Sequence, residues 1–343
     1  MTAAATVNPS VASRSPAREP RVVEMESLLL EKTRELMEFL QRHPWGDFDQ
    51  YEVLAVRFEY FQKVTQYIDA ELADRPHELS RLQELFREES EPIFQTSGLM
   101  TRARSWPYEY PGDYETLEAI YNCRPWVERG LGNYLDRYFL NSTLAVAVRW
   151  RLRKLIDLLN KRSEEEAENA VWLNVASGSC RELLSIPGKR RRTVWCLDAD
   201  ARSSAYANEL LRNRYRGGEN VEFVCQNAFR LVRADVNLRQ FGRLTTCYSA
   251  GLFDYVDTPQ LARLLGGLYR SLDKDGLLIA TFKDAERYDT FDYHWLVEWH
   301  FFHQRTLSDC YRIFDLADIP REQIRVERDA TGVILFFLVT KTE

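Results

Sequence analysis

From Val171 onward the chain repeats one rhythm: a short apolar run, then a helical segment, then another apolar run. The runs occupy residues 171–176, 193–197, 221–225, 244–248 and 276–282. Residues 259–272 read as one of the intervening helices, with Leu261, Leu264, Leu265 and Leu268 on its apolar side. This alternation predicts an α/β fold, a parallel sheet with helices on both faces. The last two runs, 323–328 and 333–340, break the rhythm. Only Asp329-Ala330-Thr331-Gly332 separates them, which predicts a hairpin and an antiparallel strand at or near one edge of the sheet. No convincing internal repeat is present.

The first half has a different period. Met25, Leu29, Leu36 and Leu40 share one helical face, as do Leu54, Phe58, Phe61, Ile68 and Leu72, followed by Leu79, Leu82 and Phe86. His43-Pro44-Trp45-Gly46-Asp47 separates the first helix from the second. Asp113 is placed to cap a helix running to Tyr121, another helix is expected over 126–139, and a long one begins near Asn141-Ser142. The polar run 161–169 reads as a linker. The expected organisation is a disordered tail (1–22), a helical N-terminal domain (23–162) and a second domain carrying the sheet (163–343). The helical domain is expected to pack over the crevice of the sheet and is the candidate for a homodimer interface.

At 343 residues the chain is long enough for two substantial cores. Its net charge of −6 argues against general affinity for nucleic acid or anionic membrane. The basic run Lys189-Arg190-Arg191-Arg192 reads as a solvated loop. No apolar run approaches a membrane span, and residues 1–20 lack the apolar core of a secretory signal. Six cysteines are scattered without a C-x-x-C pair, which suits a reducing cytoplasm and offers no disulfide framework or zinc site.

The functional signal lies where the first run ends, at Ala176-Ser177-Gly178-Ser179. A strand turning sharply into a helical segment leaves backbone N–H groups facing the crevice beyond the strand, and Gly178 lets a ligand approach without a Cβ in the way. The three-glycine fingerprint for a dinucleotide is absent. Asp198 ends the second run, 20 residues beyond Gly178, the spacing at which a carboxylate reaches both hydroxyls of a ribose. Asn227, after the third run, offers a donor and an acceptor to a base edge. Each residue has a second reading: Asp198 or Asp200 as a helix cap, Asn227 as a turn closer. In this order they point to a nucleoside cofactor without a diphosphate, a description that S-adenosyl-L-methionine (SAM) fits.

Residues 174–183, NVASGSCREL, resemble the first motif of class I SAM-dependent methyltransferases, closest to a subgroup with a V-A-S-G-x-C-R-E-L signature. Tyr248-Ser249-Ala250-Gly251-Leu252-Phe253-Asp254-Tyr255 resembles that subgroup's S-x-G-L-F-D-Y block, and Tyr110-Pro111-Gly112-Asp113 its Y-x-G-D segment. The subgroup includes enzymes of 3-hydroxypalmitate methyl ester synthesis and related bacterial natural-product enzymes, and the likeness spans about residues 100–343. It implies a Rossmann-like, seven-stranded, mostly parallel sheet after an all-helical N-terminal domain. It also implies that Ala176, Ser177 and Gly178 line the methionine end of SAM, that Asp198 binds the ribose, and that Asn227 lies near adenine. The family often carries an acidic residue at the position of Asn227.

Methyl transfer is largely a positioning problem, and aromatic faces stabilise the sulfonium. Trp106, Tyr108, Tyr110 and Tyr114 are the expected lid, with Tyr248, Phe253 and Tyr255 the floor, Tyr248 against the cofactor. After the fifth run, Glu298, His294 and His300 are candidates to orient an acceptor or act as a base, unless residues 291–302 form an amphipathic helix with Trp295, Trp299 and Phe302 buried. His300-x-x-His303 has no residues nearby to complete a metal site. Tyr110, Tyr114, Glu298 and His300 are thus the candidate catalytic residues. The expected function is methyl transfer to a carboxylate, amine or guanidine of a small molecule in bacterial secondary metabolism or signalling. Two alternatives stand: cyclisation of SAM to azetidine-2-carboxylate with release of methylthioadenosine, and SAM binding without catalysis.

Overall fold

The computed structural model describes residues 19–46, 50–186, 191–214, 220–299 and 302–342. Seven helices come first: α1 (Pro20–Arg42), α2 (Tyr51–Glu71), α3 (Pro76–Phe94), α4 (Gly98–Ser105), α5 (Tyr114–Asn122), α6 (Gly130–Asn141) and α7 (Thr143–Glu165). Then follow β1 (Ala170–Val175), β2 (Arg192–Asp198), α8 (Ala201–Arg214), β3 (Asn220–Cys225), α9 (Ala234–Phe241), β4 (Leu244–Ser249), α10 (Thr258–Ser271), β5 (Leu272–Lys283), α11 (Leu307–Leu316), β6 (Ile324–Arg328) and β7 (Ile334–Thr340).

The chain divides into two compact units. The described residues of Met1–Pro44 and Val53–Ile93 form the first. Its interior is the apolar faces read from the sequence: Leu29, Leu40, Leu54, Phe58 and Ile68 are fully buried, and Phe61 stacks on Phe86 with ring centroids 4.9 Å apart. The second unit, Trp45–Glu52 with Phe94–Glu343, takes in both helices α4 to α7 and the whole sheet.

The seven strands lie in the order β3-β2-β1-β4-β5-β7-β6. β1 to β5 pair in parallel, while β7 runs antiparallel to both β5 and β6. The terminal hairpin therefore inserts β7 beside β5 and leaves β6 at the edge. This is the class I methyltransferase architecture that the motifs implied. β7 is apolar at nearly every position because it is covered on both faces. Leu261, Leu264, Leu265 and Leu268 of α10 are fully buried against the sheet, as the 3.6-residue spacing requires. Strand order reverses between β1 and β4, so the connections leaving their C-terminal ends diverge and open a crevice.

Four local expectations change. α7 does not stop at a linker but continues to Glu165, and the next residue, Glu166, is buried. Its carboxylate accepts bonds from Trp172 Nε1 (2.6 Å), Thr246 Oγ1 (2.7 Å) and Arg162 Nε (2.9 Å). The helix expected from 126 begins at Gly130, because the Trp126 and Val127 amides donate to the buried Asp136 carboxylate instead (2.7 and 2.9 Å). The segment after the first strand is a five-residue 3-10 turn, Arg181–Ser185. After β5, Phe291–Trp295 forms one π-helical turn, with Trp295, Trp299 and Phe302 buried. Among the described residues, no helix is long and apolar enough to cross a membrane, and no cluster of His, Cys, Asp and Glu is placed to hold a metal. The tail 1–18 and the basic residues Lys189 and Arg190 lie outside the described residues.

Candidate functional site

The loop after β1 bends through three left-handed residues in five: Ala176 (φ 53°), Gly178 (φ 56°) and Cys180 (φ 51°). Alanine and cysteine seldom adopt this region, so other bonds must hold the loop. Ser177 N–H donates to the Leu197 carbonyl (3.0 Å), and Cys180 N–H to the Ser177 carbonyl (3.1 Å). Gly178 N–H donates to Asp198 Oδ2 (2.9 Å). Apart from the adjoining residues, no atom lies within 4 Å of where a Cβ on Gly178 would stand, and Gly178 lines a cavity of about 380 Å³.

The cavity lies beyond the C-terminal ends of β1 to β4. It is lined by Ala176 and Gly178 from the first loop, Asp198 and Asp200 from the second, Asn227 and Phe229 from the third, and Gly251 and Tyr255 from the fourth. Its remaining wall is the segment before and within α5, including Tyr110, Gly112 and Tyr114. That segment is fastened by charge. Arg102 clamps Asp113 (2.7 and 3.2 Å), and Asp113 caps α5 by accepting the Glu115 and Thr116 amides. Tyr110 then donates its hydroxyl to Asp200 Oδ2 (2.9 Å), and Arg202 stacks over Tyr108 at 4.0 Å. Tyr114 stacks on Tyr108 (5.7 Å) and packs at a tilt against Tyr206 (5.0 Å).

The two aspartates differ in electrostatics. Burial raises the Asp198 carboxyl above its ordinary value, although its two oxygens accept the Gly178 and Asp200 amides (both 2.9 Å). Burial also opposes ionisation of Asp200, but bonds from Arg202 and Tyr110 outweigh it and hold that carboxyl low. Tyr110 is pushed up, first by burial and then by its bond to Asp200; Tyr114 and Tyr255 are raised chiefly by burial. All three hydroxyls therefore stay protonated near neutral pH.

Beneath the first loop is a second acidic group. Glu182 is buried, and its Oε1 accepts from Asn174 Nδ2 (2.8 Å) and Tyr248 Oη (2.9 Å). Burial pushes its carboxyl up to about 7. It supports the loop from below and does not line the cavity.

The structure brings together Tyr110, Tyr114, Ala176, Gly178, Asp198 and Asn227 at one cavity. Ser177 is buried within the loop, and Tyr248 is buried with its hydroxyl on Glu182; neither lines the cavity. Of the expected floor, Tyr255 lines the cavity and Phe253 is core. Glu298 and His294 do not line it, and His300 lies outside the described residues. Asn227 combines both of its readings: it lines the cavity while its Oδ1 accepts the Phe229 amide (2.9 Å) and caps a 3-10 turn. Sequence reasoning missed Phe229, which is 40% exposed at the cavity wall. The signal available was an aromatic residue two positions after Asn227, in the loop that follows the third apolar run.

The cavity size falls within the range of about 300–1,000 Å³ that holds small molecules. SAM fits the residues present on one count: the bare, left-handed Gly178 leaves a cradle that a side chain would fill.

No protein-family model and no curated protein sequence matches the chain. Among solved structures it is similar to a possible exported protein from Bordetella parapertussis, at 15% identity and a TM-score of 0.57, over 95% of this chain and 100% of that one. This likeness shows that the fold is shared along nearly the whole length. The chain is also similar to the CurJ carbon methyltransferase (12% identity, TM-score 0.47, 94% of this chain and 93% of that one). A third is the magnesium protoporphyrin IX methyltransferase ChlM from Synechocystis PCC 6803 with bound SAM (10% identity, TM-score 0.42, 58% of this chain and 84% of that one).

Proposed function

We propose that the chain is a SAM-dependent methyltransferase acting on a carboxylate, amine or guanidine of a small molecule. Asp198 carries this reading: it stands at the C-terminal end of β2, one strand from the point where strand order reverses, on the wall of the cavity and bonded to the bare backbone of Gly178. The narrower likeness to enzymes of 3-hydroxypalmitate methyl ester synthesis and bacterial natural-product formation rests on the motifs alone.

When bound, SAM supplies a methyl group on a sulfonium sulfur, an electrophile that the protein need not activate. In this reading Asp198 holds the ribose hydroxyls, Phe229 and the Asn227 amide nitrogen face the base, and the loop at Ala176 and Gly178 receives the methionine end. The face of Tyr110 suits a cation. The hydroxyls of Tyr110, Tyr114 and Tyr255, kept protonated, donate hydrogen bonds and do not remove protons. Of the carboxylates on the wall, Asp198 is tied to two amides and Asp200 to Tyr110 and Arg202. The cavity thus favours an acceptor that is already nucleophilic, and the chain's contribution is orientation and exclusion of water.

The test is to incubate purified protein with SAM, with and without panels of carboxylates, amines and guanidines, and to identify the nucleoside formed. Acceptor-dependent S-adenosylhomocysteine supports the proposal. Methylthioadenosine from SAM alone would move the assignment to attack at the γ-carbon, and SAM binding with no product would reduce it to a binding protein.

A further inference from the structure

Three buried cations stand near the C-terminal ends of β4 and β5, and two of them are satisfied. Lys283 Nζ pairs with Asp254 Oδ2 at 2.7 Å and lies over the Phe302 ring at 4.4 Å. Arg305 donates to the backbone carbonyls of Phe253 (2.8 Å) and Val256 (2.5 Å). Arg151, on α7, is different. It is only 4% exposed, its Nε has no hydrogen-bond partner, and among the described residues no carboxylate pairs with it. Its charge reaches the neutral hydroxyl of Tyr121 and the like-charged Lys283.

A buried charge without a counter-charge is costly, and a chain that keeps one has a use for it. The position of Arg151 suggests which. A Cβ on Gly251 would stand 3.6 Å from Nη1 and 3.8 Å from Nη2, so the guanidinium edge lies against the bare α-carbon of a residue that lines the cavity. Its charge also bears on Tyr255, another wall residue. Ser249, two residues before Gly251, has a buried hydroxyl without a partner, though it does not line the cavity. A guanidinium fork is suited to two carboxylate oxygens.

We infer that Arg151 is the carboxylate-binding group of the cavity, receiving through the gap at Gly251 a carboxylate of the bound small molecule. The inference rests on the cavity's assignment as a small-molecule site. Two sources share this chemistry: the amino-acid end of the cofactor, and a carboxylate on the acceptor.

The two arms of the test separate them. In the first, S-adenosylhomocysteine, which carries the carboxylate, and methylthioadenosine, which lacks it, are titrated calorimetrically into the parent, Arg151→Met and Arg151→Lys. In the second, benzoate and benzamide are titrated into the same proteins without nucleoside. Removing one charge-assisted bidentate contact is expected to cost about tenfold or more in affinity. A loss in Arg151→Met confined to S-adenosylhomocysteine supports the inference with the cofactor as source. A loss confined to benzoate supports it with the acceptor as source, and partial recovery in Arg151→Lys supports either.

Arg151→Met protein that melts with the parent and binds both carboxylates as the parent does overturns the inference. So does an equal loss for charged and uncharged ligands, the mark of a structural role. A parent that holds neither nucleoside sinks the cofactor reading alone, since the comparison of benzoate with benzamide still decides Arg151.

Discussion

Asp198 and Gly178, twenty residues apart, are joined by a 2.9 Å hydrogen bond from the glycine amide to the aspartate carboxylate. The bond ties the turn after β1 to the end of β2 and fixes the corner of the cavity where a ribose would meet a bare peptide edge. Tyr110 and Phe229 complete the walls around that corner.

Tyr110→Phe removes the hydroxyl that donates to Asp200 and leaves the ring in place. Loss of one such bond is expected to raise KM for SAM roughly three- to tenfold while kcat changes less. Steady-state kinetics with varied SAM check this; an unchanged KM would show that the segment does not close over the cofactor.

Phe229→Ala deletes an exposed ring from the cavity wall. If the ring stacks on adenine, the variant loses roughly 1–3 kcal/mol of nucleoside affinity, with little change in melting temperature because the side chain is not core. Calorimetry with S-adenosylhomocysteine beside a thermal melt separates the two effects.

Gly267→Ala tests the support behind the third loop. A Cβ on this α10 residue would overlap the Leu231 carbonyl oxygen and stand 2.7 Å from the α-carbon of Val232, in the turn that follows Asn227. Overpacking of this kind costs roughly 1–3 kcal/mol or more. Both a lower melting temperature and weaker nucleoside binding are expected.

Glu182 gives a pH signature. Its carboxyl has an ordinary value of 4.5 unfolded and is pushed up to about 7 by burial. Below pH 4.5 both states are protonated and the group is neutral to stability. Between 4.5 and about 7 the unfolded chain gives up its proton first, so folding stability falls as pH rises, by roughly 3 kcal/mol in all. Glu182→Gln mimics the protonated form and keeps an acceptor for Asn174 and Tyr248. Melts at pH 5 and pH 8 are expected to show the parent losing more stability than the variant over that interval.

Much of this molecule is legible in the sequence. All seven strands are found within a few residues of the apolar runs, and the hairpin after residue 323 announces the antiparallel β7, because burial on both faces writes itself as continuous hydrophobicity. Asp113 caps α5 as its residue type and place suggest. What the sequence hides is set by tertiary partners. Glu166 and Asp136 look like surface acids, yet they are buried hubs whose bonds come from residues up to 80 positions away. Tyr248 looks like a cavity residue from its motif, yet its side of the strand faces Glu182. Arg151 reads as one charge among many on an amphipathic helix, and only burial without a counter-ion marks it.

The central claim is that Asp198 grips the sugar of a SAM-type nucleoside. Calorimetric titration of S-adenosylhomocysteine into the parent and Asp198→Ala proteins tests it most directly. The account predicts a drop in affinity of at least roughly tenfold, the effect of losing charge-assisted hydrogen bonds, with the fold retained by circular dichroism. Equal affinity in the two proteins would contradict it.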